Sequence, residues 1–465
     1  MDALSLVGPA GRAECGVVLG GRYAPYWSRH SARLSEGILD DHLRSALHRR
    51  PVGPRVSGGV IEVRSSHDGS LVGHAAEATT ADVDRAVAAA RTAFDEGPWP
   101  RMRPEERQVI VARFDELHLA RAAEIAELIT AENGSPHWFT SMLQTAVSVQ
   151  TQGFLRGARE LAWEERRPAA GSGHTVVRHE PVGVVAAVIP WNAPHQSALA
   201  KLIPALLAGC TVVLKPSPET ALDGLLLGEL FAEAGFPDGV LSIVPGGREI
   251  GAHLVAHPDI DKIAFTGSTG AGRAIAGVAA ETFKRVTLEL GGKSAAIVLE
   301  DADLDAVVSG NRVPSYIELG IQEGARLVAG GPEIPEGLET GHYVRPTVFA
   351  DVDNSTRIAR EEIFGPVLVV IPFDDEDDAV RIANDSPYGL SGAVWTADLE
   401  HRLEIARHIR TGTLQVNGAA TDLAAPFEDR RVGQVGSTAR PGRVGEAPCA
   451  KLGLPLGSWA LQCTP

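Results

Sequence analysis

The sequence predicts an α/β protein built on a doubly wound parallel sheet. Short continuous apolar runs recur at Val182 to Ile189, Thr211 to Leu214, Leu241 to Val244, Ile263 to Phe265 and Arg285 to Leu290. Strands buried on both faces read this way, without polar alternation. Helical stretches separate them, at His195 to Ala208 and Leu222 to Ala234. One run is followed by Gly267-Ser268-Thr269-Gly270-Ala271-Gly272, a glycine loop that opens a helix. Ligands of such sheets bind beyond the carboxyl ends of the strands.

Flanking segments supply the other elements. Val60 to Arg64 alternates like a strand, and His67 to Ser70 reads as a turn. A helix is predicted from Thr80 to about Phe94, with polar caps, and another from about Pro104 to Ile129. The segment Leu161 to Arg178 interrupts the α/β alternation with Arg166-Arg167-Pro168 and Gly171-Ser172-Gly173. Arg345 to Phe373 and Gly392 to Trp395 resume strand-like runs. Helices are predicted at Asp377 to Asn384 and Leu399 to Ile409, before Thr411 to Asn417.

Bulk composition bounds the function. With 465 residues the chain accommodates two or three packed domains. A net charge of −16 argues against general nucleic-acid binding. The longest apolar stretch, Leu199 to Leu214, is broken by Lys201, Pro204 and Gly209, so no membrane helix is predicted. No basic segment followed by an apolar core marks a signal peptide. The four cysteines (Cys15, Cys210, Cys449, Cys463) lie far apart, in no metal-binding spacing. The expectation is a reduced, cytoplasmic protein. The acidic run Asp374 to Asp378 reads as a solvated helix N-terminus rather than a metal site.

Two residues can carry chemistry on local grounds. Asn192 follows a strand and Pro190-Trp191, where its carboxamide N–H could donate to a developing oxyanion. Alone it reads more readily as a turn asparagine after a strand. Glu289 ends a strand before Gly291-Gly292 and could accept a proton from water. Alone it reads equally as a sheet-edge glutamate paired with Lys293. Cys210, at a strand start, reads as a small buried hydrophobe.

Taken in order, Pro190-Trp191-Asn192, Phe265-Thr266-Gly267-Ser268-Thr269-Gly270, Leu288-Glu289-Leu290-Gly291-Gly292-Lys293 and Glu361-Glu362-Ile363-Phe364-Gly365-Pro366 resemble the aldehyde dehydrogenase superfamily. The resemblance spans roughly Gly58 to Phe427. It implies a Rossmann-like cofactor-binding domain at 58–289, with 161–178 as a projecting oligomerisation hairpin. A truncated catalytic domain at 290–427 follows. Residues 1–57 form a weakly patterned lead-in, in which only Val18 to Arg22 is similar to the family's first strand, and 428–465 an atypical tail.

The implied activity is NAD(P)-dependent oxidation of an aldehyde to a carboxylic acid, in a homo-oligomer. A thiolate attacks the carbonyl, hydride leaves to the nicotinamide, and a base activates water against the thioester. The resemblance makes Asn192 the oxyanion donor and Glu289 the base. It places Ile189, Trp191, Lys215, Ser217, Gly251, Gly267, Ser268, Gly272, Glu362 and Phe364 at the cofactor, with no metal. Where many members carry a glutamate that favours NAD over NADP, this chain has Pro218, with Glu219 beside it. NAD is expected, with NADP also open.

The chain departs from the family twice. Glu289 and Glu362 stand 73 positions apart, and the resemblance implies roughly 60 residues more, including the nucleophilic cysteine. The join falls near Asp305 to Tyr316. Beyond Phe427 the sequence is rich in Gly, Arg and Pro without periodicity, like an out-of-frame reading of a GC-rich gene. Two expectations follow: loss of dehydrogenase activity, and apolar edges exposed where strands are missing from a buried sheet. The alternative is a non-catalytic, dinucleotide-binding or subunit-like remnant. The aldehyde itself is not legible.

Overall fold

A computed structural model describes residues 3–7, 59–168, 174–299 and 314–418. Its strands, in chain order, are β1 (Ala3–Val7), β2 (Val60–Arg64), β3 (Leu71–Ala76), β4 (Glu164–Pro168), β5 (His174–Arg178), β6 (Val184–Val188), β7 (Thr211–Lys215) and β8 (Leu241–Ile243). There follow β9 (Lys262–Thr266), β10 (Arg285–Glu289), β11 (Ser294–Val298), β12 (Arg326–Ala329), β13 (Thr347–Ala350), β14 (Val367–Pro372), β15 (Ser391–Trp395) and β16 (Thr413–Val416).

Strands β6 to β10 form a five-stranded sheet of order β10-β9-β6-β7-β8, parallel throughout. Every residue of β6 (VVAAV) and β7 (TVVLK) is buried, which explains the unbroken apolar runs. The helix Pro194–Ala208 connects those two strands and stops at Gly209, whose φ of 94° lies in the left-handed region. Its face buries Leu199, Leu202, Ile203 and Leu206 in the largest core cluster, together with Phe114, Phe231 and Cys210. At about 25 cal/mol per Å² of apolar surface, each such side chain contributes about 1.5–3 kcal/mol.

The first predicted helix is observed at Thr80–Asp95, with Thr79 and Asp82 forming a capping box. The second is two helices, Pro104–Ala120 and Ala122–Asn133. Arg121 breaks the run: at φ −107° and ψ 14° it leaves helical geometry, and its N–H donates to Leu117 and His118 carbonyls. Apolar spacing does not register such a kink. A 24-residue helix, His137–Glu160, was not anticipated. The interrupting segment pairs β4 with β5 as an antiparallel hairpin, mostly exposed. The acidic run caps the helix Glu376–Asn384, with the Asp375 side chain accepting from the Asp378 N–H at 2.9 Å.

A polar cluster lies inside the main core. Glu132 accepts from the N–H groups of Leu222 and Asp223 at 2.9 and 3.2 Å. His195 Nδ1 and Asp223 Oδ1 are 2.8 Å apart, and His118 stacks on His195. Burial and the neighbouring His195 push the His118 imidazole down to about 4.

The second sheet has seven strands in the order β12-β13-β14-β1-β11-β15-β16. Here the structure corrects the expectation of exposed apolar edges. Residues 3–7, within the weakly patterned lead-in, form β1, paired parallel to β11 on one side and β14 on the other. No apolar edge is therefore left between β11 and β14. Ala-Leu-Ser-Leu-Val has the apolar character and length that a central parallel strand needs, so a distant segment completes the ladder. Val18 to Arg22, all of the expected join at Asp305 to Tyr316 except its last three residues, and the tail beyond Phe427 lie outside the described residues; those three residues open the helix Pro314–Gln322.

This arrangement makes Ser5, paired with Ala296 and Val370, a sensitive position. Ser5→Pro removes a ladder N–H from a strand flanked on both sides, a loss of about 1–3 kcal/mol if its partner carbonyl stays unsatisfied. Hydrogen exchange should show lost protection at 294–298 and 367–372, with 184–188 unchanged. Unaltered protection of β11 and β14 would refute β1 pairing.

Candidate active site

The strand register gathers the candidate residues at one edge. Val188, which closes β6, faces Lys215 on β7 and Phe265 on β9. Thr266 faces Glu289 on β10. All these positions lie at carboxyl ends of parallel strands, where backbone groups leave the ladder and loops splay apart.

At the centre, Ile189 is buried and its N–H donates to the Lys215 carbonyl at 3.2 Å. The Trp191 carbonyl accepts from Asn133 Nδ2 at 3.0 Å, which holds the loop that presents exposed Asn192. The Trp191 ring meets Phe364 edge-on, with centroids 5.6 Å apart. Phe364 has a φ of 56°, in the left-handed region that a bulky side chain rarely adopts.

On the β7 side, Lys215 is buried, and burial pushes its ammonium down to about 8 against the opposing pull of Glu219. Its stem runs past Gly251, where an added Cβ would lie 3.6 Å from Lys215 Cδ. Ser217 donates its hydroxyl proton to the Glu219 carboxylate.

On the β9 side, the Gly267 N–H donates to the Glu289 carbonyl at 2.9 Å. Ser268 caps the helix Thr269–Glu281, its Oγ accepting from the Ala271 N–H. Gly272 is buried, and an added Cβ would lie 2.4 Å from a Leu290 methyl. A larger residue there would displace the Leu290 side chain, so the glycine lets the helix seat closely against it.

Glu289 and Lys201 form the electrostatic centre. Burial pushes the Glu289 carboxyl up to about 7, with Lys201 acting in the opposite sense. Desolvation brings the Lys201 ammonium down to about 8, resisted by the Glu289 charge. Lys201 also donates to Thr266 Oγ1. Sequence reading missed Lys201 and Thr266; Lys201 registered only as a charge interrupting an apolar stretch. A lone lysine on the buried face of a helix following a site loop was the available signal.

Glu361 and Glu362 part company. Glu361 pairs with Arg357 and accepts from Tyr316 Oη at 3.0 Å. Glu362 turns to the loop after β10, accepting from the Gly292 N–H at 3.0 Å. A Cβ on Gly291 would lie 2.2 Å from Glu362 Oε2, so glycine permits this approach. Cys210 is fully buried in the core. Among the described residues no cluster of His, Cys, Asp or Glu could hold a metal ion, and no helix is long and apolar enough to cross a membrane.

Comparison with known proteins decides the family. The aldehyde dehydrogenase family model matches residues 55–311 and 309–437. The chain belongs to the aldehyde dehydrogenase family. Geranial dehydrogenase of Castellaniella defragrans is 42% identical over 437 aligned residues, covering 81% of this chain and 91% of that protein. The fold is similar to that of a Mycobacterium tuberculosis aldehyde dehydrogenase solved with NAD+, with 42% identity and a TM-score of 0.78 over 82% of this chain and 91% of that one. An aldehyde dehydrogenase from Bacillus cereus, also solved with NAD+, superposes with a TM-score of 0.80 at 34% identity, over 85% and 94% of the two chains. The α/β aldehyde dehydrogenase fold is thereby established.

The raised Glu289 carboxyl sets a pH dependence. The fold favours its protonated form, so its contribution to stability is complete below the ordinary carboxyl value of 4.5 and is lost as pH rises through about 7. Melting curves of the wild type and Glu289→Gln should therefore converge or cross from about pH 4.5 to about pH 7.5, the wild type losing ground. A constant difference across that range would contradict the buried-carboxyl assignment.

Proposed function

We propose that this chain binds NAD and an aldehyde in the arrangement of its family, and that oxidation of the aldehyde to a carboxylic acid is severely impaired in it. The observation that carries the reading is the company Glu289 and Asn192 keep. An acid–base centre and an oxyanion donor stand at one sheet edge, yet no cysteine occurs between Cys210 and Cys449, and Cys210 is sealed in the core. The two-block family match supports an internal loss. So does the alignment to geranial dehydrogenase: 81% of 465 residues is about 377, leaving some 60 of the 437 aligned positions without a counterpart in this chain.

The residues present fit a dinucleotide. Gly267, Ser268 and Gly272 shape a helix N-terminus at which an added Cβ on Gly270 would meet open space, suited to a pyrophosphate. Lys215, Ser217 and Gly251 form the adjoining wall for the adenosine ribose. Ile189, Trp191, Glu362 and Phe364 lie towards the nicotinamide end. NAD, when bound, supplies the hydride acceptor. Asn192 would donate to the carbonyl oxygen, and Glu289, near neutrality in its titration, would hold or release a proton. Assembly through the β4–β5 hairpin and a cytoplasmic location complete the proposal, the latter resting on the scattered cysteines.

The test follows NADH formation with octanal alongside calorimetric titration of NAD. Saturable NAD binding is expected, with turnover depressed on the order of 10⁶-fold relative to a complete family member, as when a nucleophile is removed from a cooperative site. Enzyme-like turnover would overturn the impaired reading, and no NAD binding the cofactor reading.

Glu219 gives a specificity prediction. Its carboxylate lies by Ser217 and acts on Lys215, so it repels a 2′-phosphate. Glu219→Gln should raise NADP affinity by about threefold to tenfold while leaving NAD nearly unchanged, the scale of a single exposed charge. Equal effects on both nucleotides would remove Glu219 from the discrimination.

A further inference from the structure

The lysine distribution of this chain is unusual. It has six lysines, at 201, 215, 262, 284, 293 and 451, against a much larger number of arginines. Among the five that are described, Lys215, Lys262, Lys284 and Lys293 are buried, and Lys201 alone keeps partial exposure. Lys201 projects from the helix that begins two residues after Asn192, and it reaches the ends of β9 and β10, where it meets the Thr266 hydroxyl and the Glu289 charge.

An amine in this setting has what carbonyl addition requires. It is held by a hydroxyl that can also accept its proton-bearing N–H, it adjoins a carboxyl that exchanges protons, and it is reachable. We propose that Lys201 captures aldehydes as an imine, giving this family member a covalent aldehyde-holding activity that needs no thiol. The proposal rests on the aldehyde-binding reading above.

The step is redox-neutral. The Lys201 nitrogen lone pair attacks the carbonyl carbon, forming a C–N bond while the C=O π pair moves to oxygen, which takes a proton from water. The Glu289 carboxylate accepts the first proton released from nitrogen. Protonation of the carbinolamine hydroxyl by the Glu289 carboxylic acid then breaks the C–O bond, and water leaves an iminium. The remaining N–H proton of the iminium goes to the hydroxide left by the first step. Amine plus aldehyde becomes imine plus water, and Glu289 ends as the carboxylate it began as. Burial favours the neutral amine that initiates the sequence, since desolvation holds Lys201 at about 8.

The experiment incubates the full chain with octanal and sodium cyanoborohydride near pH 7.5, then maps N-octyl lysines by peptide mass spectrometry. With only six lysines the map is short. Modification of Lys201 should exceed that of every other lysine by about tenfold: Lys215, Lys262, Lys284 and Lys293 are buried away from the aldehyde, and an unperturbed side chain near 10.4 such as Lys451 offers less neutral amine. It should disappear in Lys201→Arg and slow severalfold in Glu289→Gln. Because the map is read on the unaltered chain, it decides even if a variant folds poorly. Uniform labelling, or labelling centred on Lys451 or Lys215, overturns the proposal. A parallel thermal-shift titration with octanal separates the two levels. Stabilisation without a Lys201 adduct sinks imine capture alone, whereas neither stabilisation nor an adduct sinks the aldehyde-binding reading as well.

Discussion

Everything at the candidate site hangs on the parallel ladder of β6 with β7 and β9. Because Val188 is opposite both Lys215 and Phe265, three loops leave the sheet at the same level. A shift of one residue would turn each side chain to the other face. The ladder is fixed by burial on both sides: β6 and β7 have no exposed residue. Precise placement of Asn192, Lys215, Gly267 and Glu289 is thus a by-product of a hydrophobic core that contains none of them.

That core also sets the chemistry. Glu289 and Lys201 are drawn towards neutrality from opposite directions, one up to about 7 and the other down to about 8, by the same desolvation. A pair with such values exchanges protons readily near physiological pH. The centre therefore retains acid–base capability whether or not a thiol stands beside it. Gly291 lets Glu362 approach the loop after β10 closely enough for the Gly292 N–H to bond it, which ties the segment before β14 to that loop.

The five-stranded sheet was legible because its strands are continuous apolar runs and its loops carry glycines with a steric purpose, such as Gly272 against Leu290. Motif order sufficed to recognise the family. Lys201 was not legible, since its partners come from strands more than sixty residues away in sequence. Nor was the break at Arg121, which depends on one backbone conformation rather than on residue type. The role of Ala3–Val7 escaped because a five-residue apolar run has no periodicity to distinguish it, and its pairing partners are remote.

Strand β1 carries a consequence for how the chain comes to be folded. Its partners are β11 and β14, beginning at positions 294 and 367. Strand β1 must therefore wait for a segment more than 350 residues further along before it has both neighbours. The five-stranded sheet, whose pairings are all internal to 184–289, can form meanwhile. Contacts of such sequence separation form slowly and leave strand edges open in the interval. Assembly of the second sheet is thus a late event, and until β1 docks the facing edges of β11 and β14 are open to aggregation and chaperone capture.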